Sequence, residues 1–150
     1  MARYNKIFAG PVSEPLPQAN EGIASVDIIP GSLVVKTNGE FAYATAASVG
    51  SMYIAQDAYL TLENVDTPWK AGDRMIALDM LPHQLYNARV PTGQNLVEGD
   101  ELTPGANGTF VKAGVSDRVV AKATETYNND TGSDQLVHVK AVVGYVRAAA

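Results

Sequence analysis

Residues 99–113 read GDELTPGANGTFVKA, a pattern typical of two short strands joined through an Asn-Gly turn. Asn and Gly tolerate the positive φ angles that a tight two-residue hairpin turn requires. Residues 30–44, PGSLVVKTNGEFAYA, repeat this arrangement, and Asn38 and Asn107 lie 69 positions apart. The sequence therefore predicts two β-hairpins built on one plan, which indicates an internal repeat.

Further matches extend the repeat beyond the hairpins. Residues 55–59 (AQDAY) align with residues 123–127 (ATETY), and residues 72–78 align with residues 133–139. The offset falls from 68 to 61 between these two blocks, as expected if one loop is shorter in the second copy. Chance similarity between β-rich segments is the alternative, but the blocks keep their order, which favours duplication.

Turn signals along the whole chain predict an all-β fold. Thirteen Gly and eight Pro residues are spread over 150 positions, which favours many turns over long helices. Short, evenly spaced strands of this kind form a compact sandwich or barrel of antiparallel strands with little helix. We therefore predict a single β domain over residues 23–150, made of two related halves at about 23–81 and 85–146.

Residues 1–22 are predicted to form an extended N-terminal arm. Pro11, Pro15 and Pro17 are incompatible with a helix interior or a central strand. A loosely held terminus is the plain alternative. The apolar side chains of the arm make docking on a neighbouring subunit the second interpretation. The candidate contact residues are Tyr4, Ile7, Phe8, Val12 and Leu16 of the arm, together with Trp69, which lies in a turn of the long irregular segment 57–72.

Charge and composition exclude several classes of protein. The formal net charge of −5 leaves no excess of basic residues to neutralise nucleic-acid phosphates, and it disfavours an anionic membrane surface. The absence of Cys excludes disulfides and Cys-based zinc sites. No apolar run approaches the ~20 residues of a membrane helix. Residues 1–7 are not followed by a signal-peptide core, so we expect a protein that is made and used without crossing a membrane.

The sequence contains no recognisable catalytic motif. It lacks a Gly-x-Ser-x-Gly nucleophile elbow, a phosphate-binding loop and a dinucleotide fingerprint. His83 and His138 are its only histidines. Lone histidines are more often packing or surface residues than a metal or acid–base pair. We therefore predict no enzymatic activity and no cofactor.

Clustered acidic residues are the remaining candidates for chemistry. Paired carboxylates can hydrolyse glycosides or hold calcium. The spacing of an EF-hand is absent, and acids beside Gly more often form solvated turns, which is the interpretation that we favour. We therefore predict no metal site. The clustered residues are Glu98, Asp100, Glu101, Asp130 and Asp134.

Five segments of the second half occur together in one known family. They are the GDEL turn at 99–102, the Asn-Gly pair at 107–108, VKAG at 111–114, an Ala-rich strand at 117–123 and a Val-rich closing strand at 135–139. This series resembles the capsid decoration (cement) proteins of tailed bacteriophages. The resemblance covers about the last 60 residues well, and the first half through the internal repeat.

The resemblance implies a non-enzymatic virion protein that is made in the bacterial host cytoplasm and sits on the outer capsid surface. There it would bind the major capsid protein, clamp neighbouring subunits and form a homo-oligomer, a trimer or a dimer. The family supplies no catalytic residue to this chain, and the arm and the 57–72 segment depart from its shorter members.

Two alternatives belong to other classes of protein. One is a carbohydrate- or ligand-binding β domain of a phage or bacterial surface structure, which would have a concave pocket of aromatic and acidic side chains. The other is a small β-fold hydrolase that uses Glu98, Asp100 or Asp57.

Overall fold

A computed structural model describes residues 7, 16 and 18–149, and this part of the chain is almost entirely β-structure. Its helical segments are two single 3₁₀ turns at Tyr59–Thr61 and Ala106–Gly108. The predicted all-β class is confirmed. Its strands are β1 (Ala19–Ala24), β2 (Leu33–Thr37), β3 (Glu40–Tyr43), β4 (Tyr53–Ala55), β5 (Arg74–Asp79), β6 (Leu85–Val90), β7 (Asn95–Leu96), β8 (Glu101–Pro104), β9 (Phe110–Lys112), β10 (Arg118–Ala123), β11 (Tyr127–Asn128) and β12 (Gln135–Val146).

The first five strands form a closed barrel in the order β1-β3-β2-β4-β5. Strand β1 closes it, because β1 pairs with β5 in the antiparallel sense and with β3 in the parallel sense. The parallel pair is an exception to the predicted antiparallel pattern. Phe41 and Met75 are fully buried in the barrel core, and the Phe41 ring meets the edge of Tyr53 at a centroid distance of 5.7 Å.

The second sheet is open and has the order β6-β12-β10-β8-β9, with β7 and β11 forming a separate two-stranded ribbon. Its inner face carries Leu102, Phe110 and Val137, all fully buried. Leu33 and Ile54 of the barrel belong to the same apolar cluster. The two halves therefore share one core.

Both sheets have the same strand order. Written from the hairpin outward, the barrel is β3-β2-β4-β5-β1 and the open sheet is β9-β8-β10-β12-β6. Strands β5 and β12 begin at Arg74 and Gln135, which the repeat aligned with one another. The sheets differ in closure, because β1 pairs with β3 whereas β6 and β9 belong to opposite edges. This order supports the predicted duplication, and the division into two related halves stays a prediction.

The two Asn-Gly turns differ in length. Asn38 and Gly39 form the predicted two-residue turn, with φ angles of 52° and 83° between the paired residues Thr37 and Glu40. The prediction is wrong for the second hairpin, where five residues, 105–109, connect β8 to β9. The Gly105 amide donates to the Thr109 carbonyl at 2.7 Å and closes this longer loop.

The first strand begins earlier than the sequence pattern indicated. We expected the first strand at residues 23–29, but β1 begins at Ala19, which pairs with Leu78 of β5. Residues 19–22 therefore belong to the barrel and not to the arm. The apolar signal is weak here because Gly22 lies against Phe41, where a Cβ atom would come within 2.7 Å of the ring.

Candidate interaction surfaces

Residues 59–65 form an apolar surface loop, here called the 59–65 loop. All seven of its residues are exposed, four of them are large and apolar, and Leu62 is the most exposed of these four at 93%. Leu62 also has a φ angle of 59°, a left-handed conformation that costs a non-Gly residue about 1–2 kcal/mol. The exposed apolar side chains are Tyr59, Leu60, Leu62 and Val65.

The 59–65 loop is held in place by Arg89 of β6. Arg89 is 4% exposed, and its guanidinium donates to the carbonyl oxygens of Pro30 and Val65 and to the Asp66 carboxylate at 2.9 Å. Three acceptors around one buried guanidinium compensate its loss of water. Arg89 therefore joins the second half of the chain to the 59–65 loop and to Pro30, in the segment that leads into β2.

The alternating pattern of β6 did not reveal the role of Arg89. That pattern places Arg89 on the face opposite Tyr86, Ala88 and Val90. Gly31 packs on this face, since a Cβ atom there would lie 3.3 Å from the Arg89 Cγ, and its carbonyl accepts a hydrogen bond from the Arg89 amide at 2.8 Å. Such a covering segment is distant in sequence and leaves no periodic signal.

Trp69 is half-buried and lies behind the 59–65 loop. Its indole N–H donates to the Gln56 carbonyl at 2.7 Å, and its backbone exchanges two hydrogen bonds with Ile28. The ring packs against the barrel core and lines a cleft of about 190 Å³ with Tyr59 and Leu60. Its predicted role as a contact residue stays a prediction, and its observed contacts anchor the segment.

The predicted arm residues fall largely outside the part of the chain that the structure describes. Tyr4, Phe8 and Val12 lie outside the described residues. Ile7 is fully exposed and Leu16 is 78% exposed. Neither of these two apolar side chains is covered by the barrel or the open sheet.

Two of the acidic residues form ion pairs beside the C-terminal end of β12. Asp100 pairs with Lys112 at 2.8 Å and accepts the Val97 amide, while Glu101 pairs with Arg147 at 3.0 Å. Partial burial raises the pKa of Asp100, but the hydrogen bonds from Lys112 and Val97 outweigh it and leave that pKa below its usual value. These carboxylates are already neutralised, which is consistent with the structural interpretation.

Tyr145 is expected to ionise unusually late. Partial burial, followed by the hydrogen bond to the Glu101 carboxylate at 2.7 Å, raises the pKa of Tyr145 to about 12 from 10.0. Because the folded-state pKa is raised, the stability linked to this group is fully present below pH 10 and is lost as the pH rises towards 12. Burial also raises the pKa of Tyr86, so titration by near-ultraviolet absorbance should show late ionisation of two tyrosines, of which Tyr145→Phe removes one and Glu101→Gln shifts one to lower pH. An unchanged late ionisation in both variants would contradict the assignment.

The remaining candidates form no constellation. His83 and His138 are exposed, and Asp57 accepts a hydrogen bond from the neighbouring Gln56 side chain. Across residues 18–149 together with Ile7 and Leu16, no group of three or more His, Asp or Glu side chains could hold a metal ion. In this same part of the chain, no helix is long and apolar enough to cross a bilayer.

The end of β12 is a second apolar surface, defined here as the β12 edge (Val142–Val146). Val143 is 69% exposed, and Val146 is also exposed. Valines on both faces of this strand predict that both faces are covered, by the partner sheet or by another subunit. Val137 and Val139, which share one face, are buried, whereas His138 and Lys140 on the other face and most of the β12 edge are exposed; cover by another subunit stays a prediction.

Comparison with known proteins gives a match at the level of structure. No protein-family model and no curated protein sequence matches the chain. The fold is similar to the crystal structure of the head fiber gp8.5 N base of bacteriophage phi29, with a TM-score of 0.56 and 21% sequence identity. The likeness covers 84% of this chain and 94% of that one. At this identity the likeness concerns the fold, and the protein that shares it comes from a phage head, in line with the resemblance to capsid decoration proteins that the sequence indicated.

Proposed function

We propose that this chain is a non-enzymatic structural protein of a phage virion, bound to the outer surface of the head. The observation that carries the proposal is the shared fold with the base of the phi29 head fiber over most of both chains. Two halves with one strand order and one shared core form a rigid body, as a surface-bound head protein needs.

We further propose that the protein binds the major capsid protein, clamps neighbouring subunits and forms a homo-oligomer. The 59–65 loop supports this, because it exposes four large apolar side chains within seven residues, and such clusters commonly mark protein–protein contacts. Arg89 and Trp69 hold the loop from behind, so that little ordering entropy is lost on binding.

A clamping role needs no strong single contact. A protein that binds only the assembled shell stabilises it by mass action. Several weak contacts on one rigid body raise the effective affinity of the others. An arm that orders on a neighbour adds a contact at an entropic cost that is met on docking.

Deleting residues 2–16 is expected to weaken binding to heads by tenfold or more while the barrel stays folded. The fold should survive because β1 begins at Ala19, whereas the arm carries Ile7 and Leu16, which are exposed in the described structure. Co-sedimentation with heads that lack the protein, and the thermal stability of the resulting particles, measure the effect.

The control is deletion of residues 2–22, which removes four residues of β1 and should also lower the unfolding temperature of the free protein. Undiminished binding and protection by the shorter deletion would exclude a role for the arm. Failure of the intact protein to bind heads would exclude the proposed function itself.

The cleft beside Trp69 favours one second candidate, a carbohydrate- or ligand-binding domain. Tyr59, Trp69 and Glu21 line it, which are the residue types that such a site uses. Its volume of about 190 Å³ is below the ~300 Å³ of most small-molecule sites. The indole N–H is engaged with Gln56, and Glu21 pairs with Arg74. Binding on a glycan array that Trp69→Ala abolishes would favour this candidate over the structural role.

A further inference from the structure

The β12 edge lacks a partner strand on its outer side. Strand β6 pairs with β12 as far as Lys140, and the segment before β6 continues this pairing at Ala141, whose carbonyl accepts from the His83 amide and whose amide donates to the Gln84 carbonyl. Among the described residues, the strand that pairs with the β12 edge is β10, on the side opposite β6, where Arg118 pairs with Val146 and Val119 with Tyr145. An apolar strand with a free edge is a template for the addition of another strand.

A groove of about 630 Å³ runs beside the β12 edge. The barrel supplies one wall, which includes Met52, Tyr53 and Met80, and the open sheet supplies the other, with Val120 and Val143. Apolar side chains from both halves therefore flank the free backbone. An extended segment could pair with the strand and place its side chains in the groove.

The N-terminal arm leaves the barrel at this groove. The Asp79 amide donates to the Gln18 carbonyl at 3.0 Å, and the Asn20 side chain donates to the Asp79 carboxylate at 2.8 Å. Asn20 and Asp79 both line the groove. The arm of each copy therefore starts next to a site that fits an extended strand.

The sequence of the arm separates into two parts. Residues 3–9, RYNKIFA, contain no Pro, so every backbone amide is available for a ladder, and they include aromatic and β-branched side chains. Residues 10–17 contain three Pro residues, which lack the amide and favour a stiff, extended spacer. Eight residues at ~3.1 Å each span roughly 25 Å. A spacer of this length is long enough to reach a neighbouring copy.

We propose that residues 3–9 of one copy add as a strand to the β12 edge of a second copy. Ile7 is fully exposed in the described part of the chain, which is consistent with a neighbouring copy as its site. The inference rests on the proposed homo-oligomer and names the contact that holds it together. Exchange of arms in this way links copies that already lie side by side on a surface.

Disulfide trapping tests this contact directly because the chain contains no native Cys. Full-length Ile7→Cys protein and full-length Val143→Cys protein are mixed under oxidising conditions, and the control mixture pairs Ile7→Cys with Val97→Cys. Val97 is exposed and lies outside the groove. We expect a cross-linked dimer from the first mixture at several-fold higher yield than from the control. Equal yields would overturn the proposal.

A double variant with both Ile7→Cys and Val143→Cys identifies which copy supplies the arm. A bond between copies at all protein concentrations supports the proposal, and a bond within one chain overturns it. As an independent measurement, Val143→Lys should weaken self-association roughly tenfold in sedimentation velocity, because a charge on an edge strand opposes strand addition, whereas Val97→Lys should not. Unchanged self-association of Val143→Lys would also overturn it.

Binding to phage heads and cross-linking between copies are measured separately. Protein that binds heads but does not cross-link between copies overturns arm exchange and leaves the proposed function standing. Protein that cross-links between copies but does not bind heads supports arm exchange and overturns the proposed function.

Discussion

Replacing Arg89 with Met is expected to lower the free energy of unfolding by about 3 kcal/mol. Methionine fills most of the space of the arginine stem, so the substitution mainly removes the hydrogen bonds that the guanidinium donates. The carbonyl oxygens of Pro30 and Val65 lose their donor, and a buried carbonyl without a partner costs about 1–3 kcal/mol. Asp66 is exposed and returns to water, so its carboxylate adds little to this cost. Urea unfolding followed by the fluorescence of Trp69, the only tryptophan, measures the change.

Arg74→Met is the matched control for that experiment. Arg74 pairs with Glu21 at 3.4 Å, but both side chains are well exposed, and such surface pairs contribute ~0–1 kcal/mol. The two variants remove the same charge from different surroundings. Equal stability of Arg89→Met and Arg74→Met would show that Arg89 does not fasten the loop.

Replacing Gly108 with Ala is expected to destabilise the protein by about 3 kcal/mol. Gly108 has a φ angle of 66°, which costs an L-residue about 1–2 kcal/mol. In addition, a Cβ atom here would lie 2.3 Å from the Leu33 carbonyl oxygen and 2.9 Å from the Tyr43 ring. Overpacking of this kind adds about 1–3 kcal/mol, and backbone cannot move aside cheaply. The contact joins the second hairpin to β2, so the strain falls on the junction of the two halves.

Gly39 supplies the control, because the repeat places it at the equivalent position. It has a φ angle of 83°, and a Cβ atom there would meet nothing within 4 Å. Gly39→Ala should therefore cost only about 1 kcal/mol, from the backbone conformation alone. Thermal and urea unfolding of the two variants give the difference. Equal losses would mean that the Gly108 contact with Leu33 adds no strain.

The sequence predicted the elements that depend on local chemistry. The alternating strand at residues 84–90 and the Val-rich strand at 136–146 correspond closely to β6 and β12. The turn at Asn38-Gly39 was predicted because Gly and Asn at those positions accept positive φ angles. These features are encoded within a few neighbouring residues.

Features that depend on distant segments were not predictable in the same way. The start of β1 at Ala19 is hidden in the sequence by the polar residues Asn20 and Glu21, which pair with Ala77 and Ile76 of β5. The burial of Arg89 depends on Gly31 and on the 59–65 loop, neither of which is near it in sequence. The free edge of β12 depends on where its neighbour β6 begins and ends, and the sequence pattern of β12 itself contains no information about that.

Each half of the molecule is completed by joining its first strand to its last, β1 to β5 and β6 to β12. During synthesis, the barrel can close as soon as Asp79 has left the ribosome. The later half must wait until β12 (Gln135–Val146) is made, because β12 lies between β6 and β10 in its sheet. By then Leu33 and Ile54 already present an ordered apolar surface on which it can condense. Folding is thus expected to run from the N-terminal half to the C-terminal half, with the first acting as a template for the second.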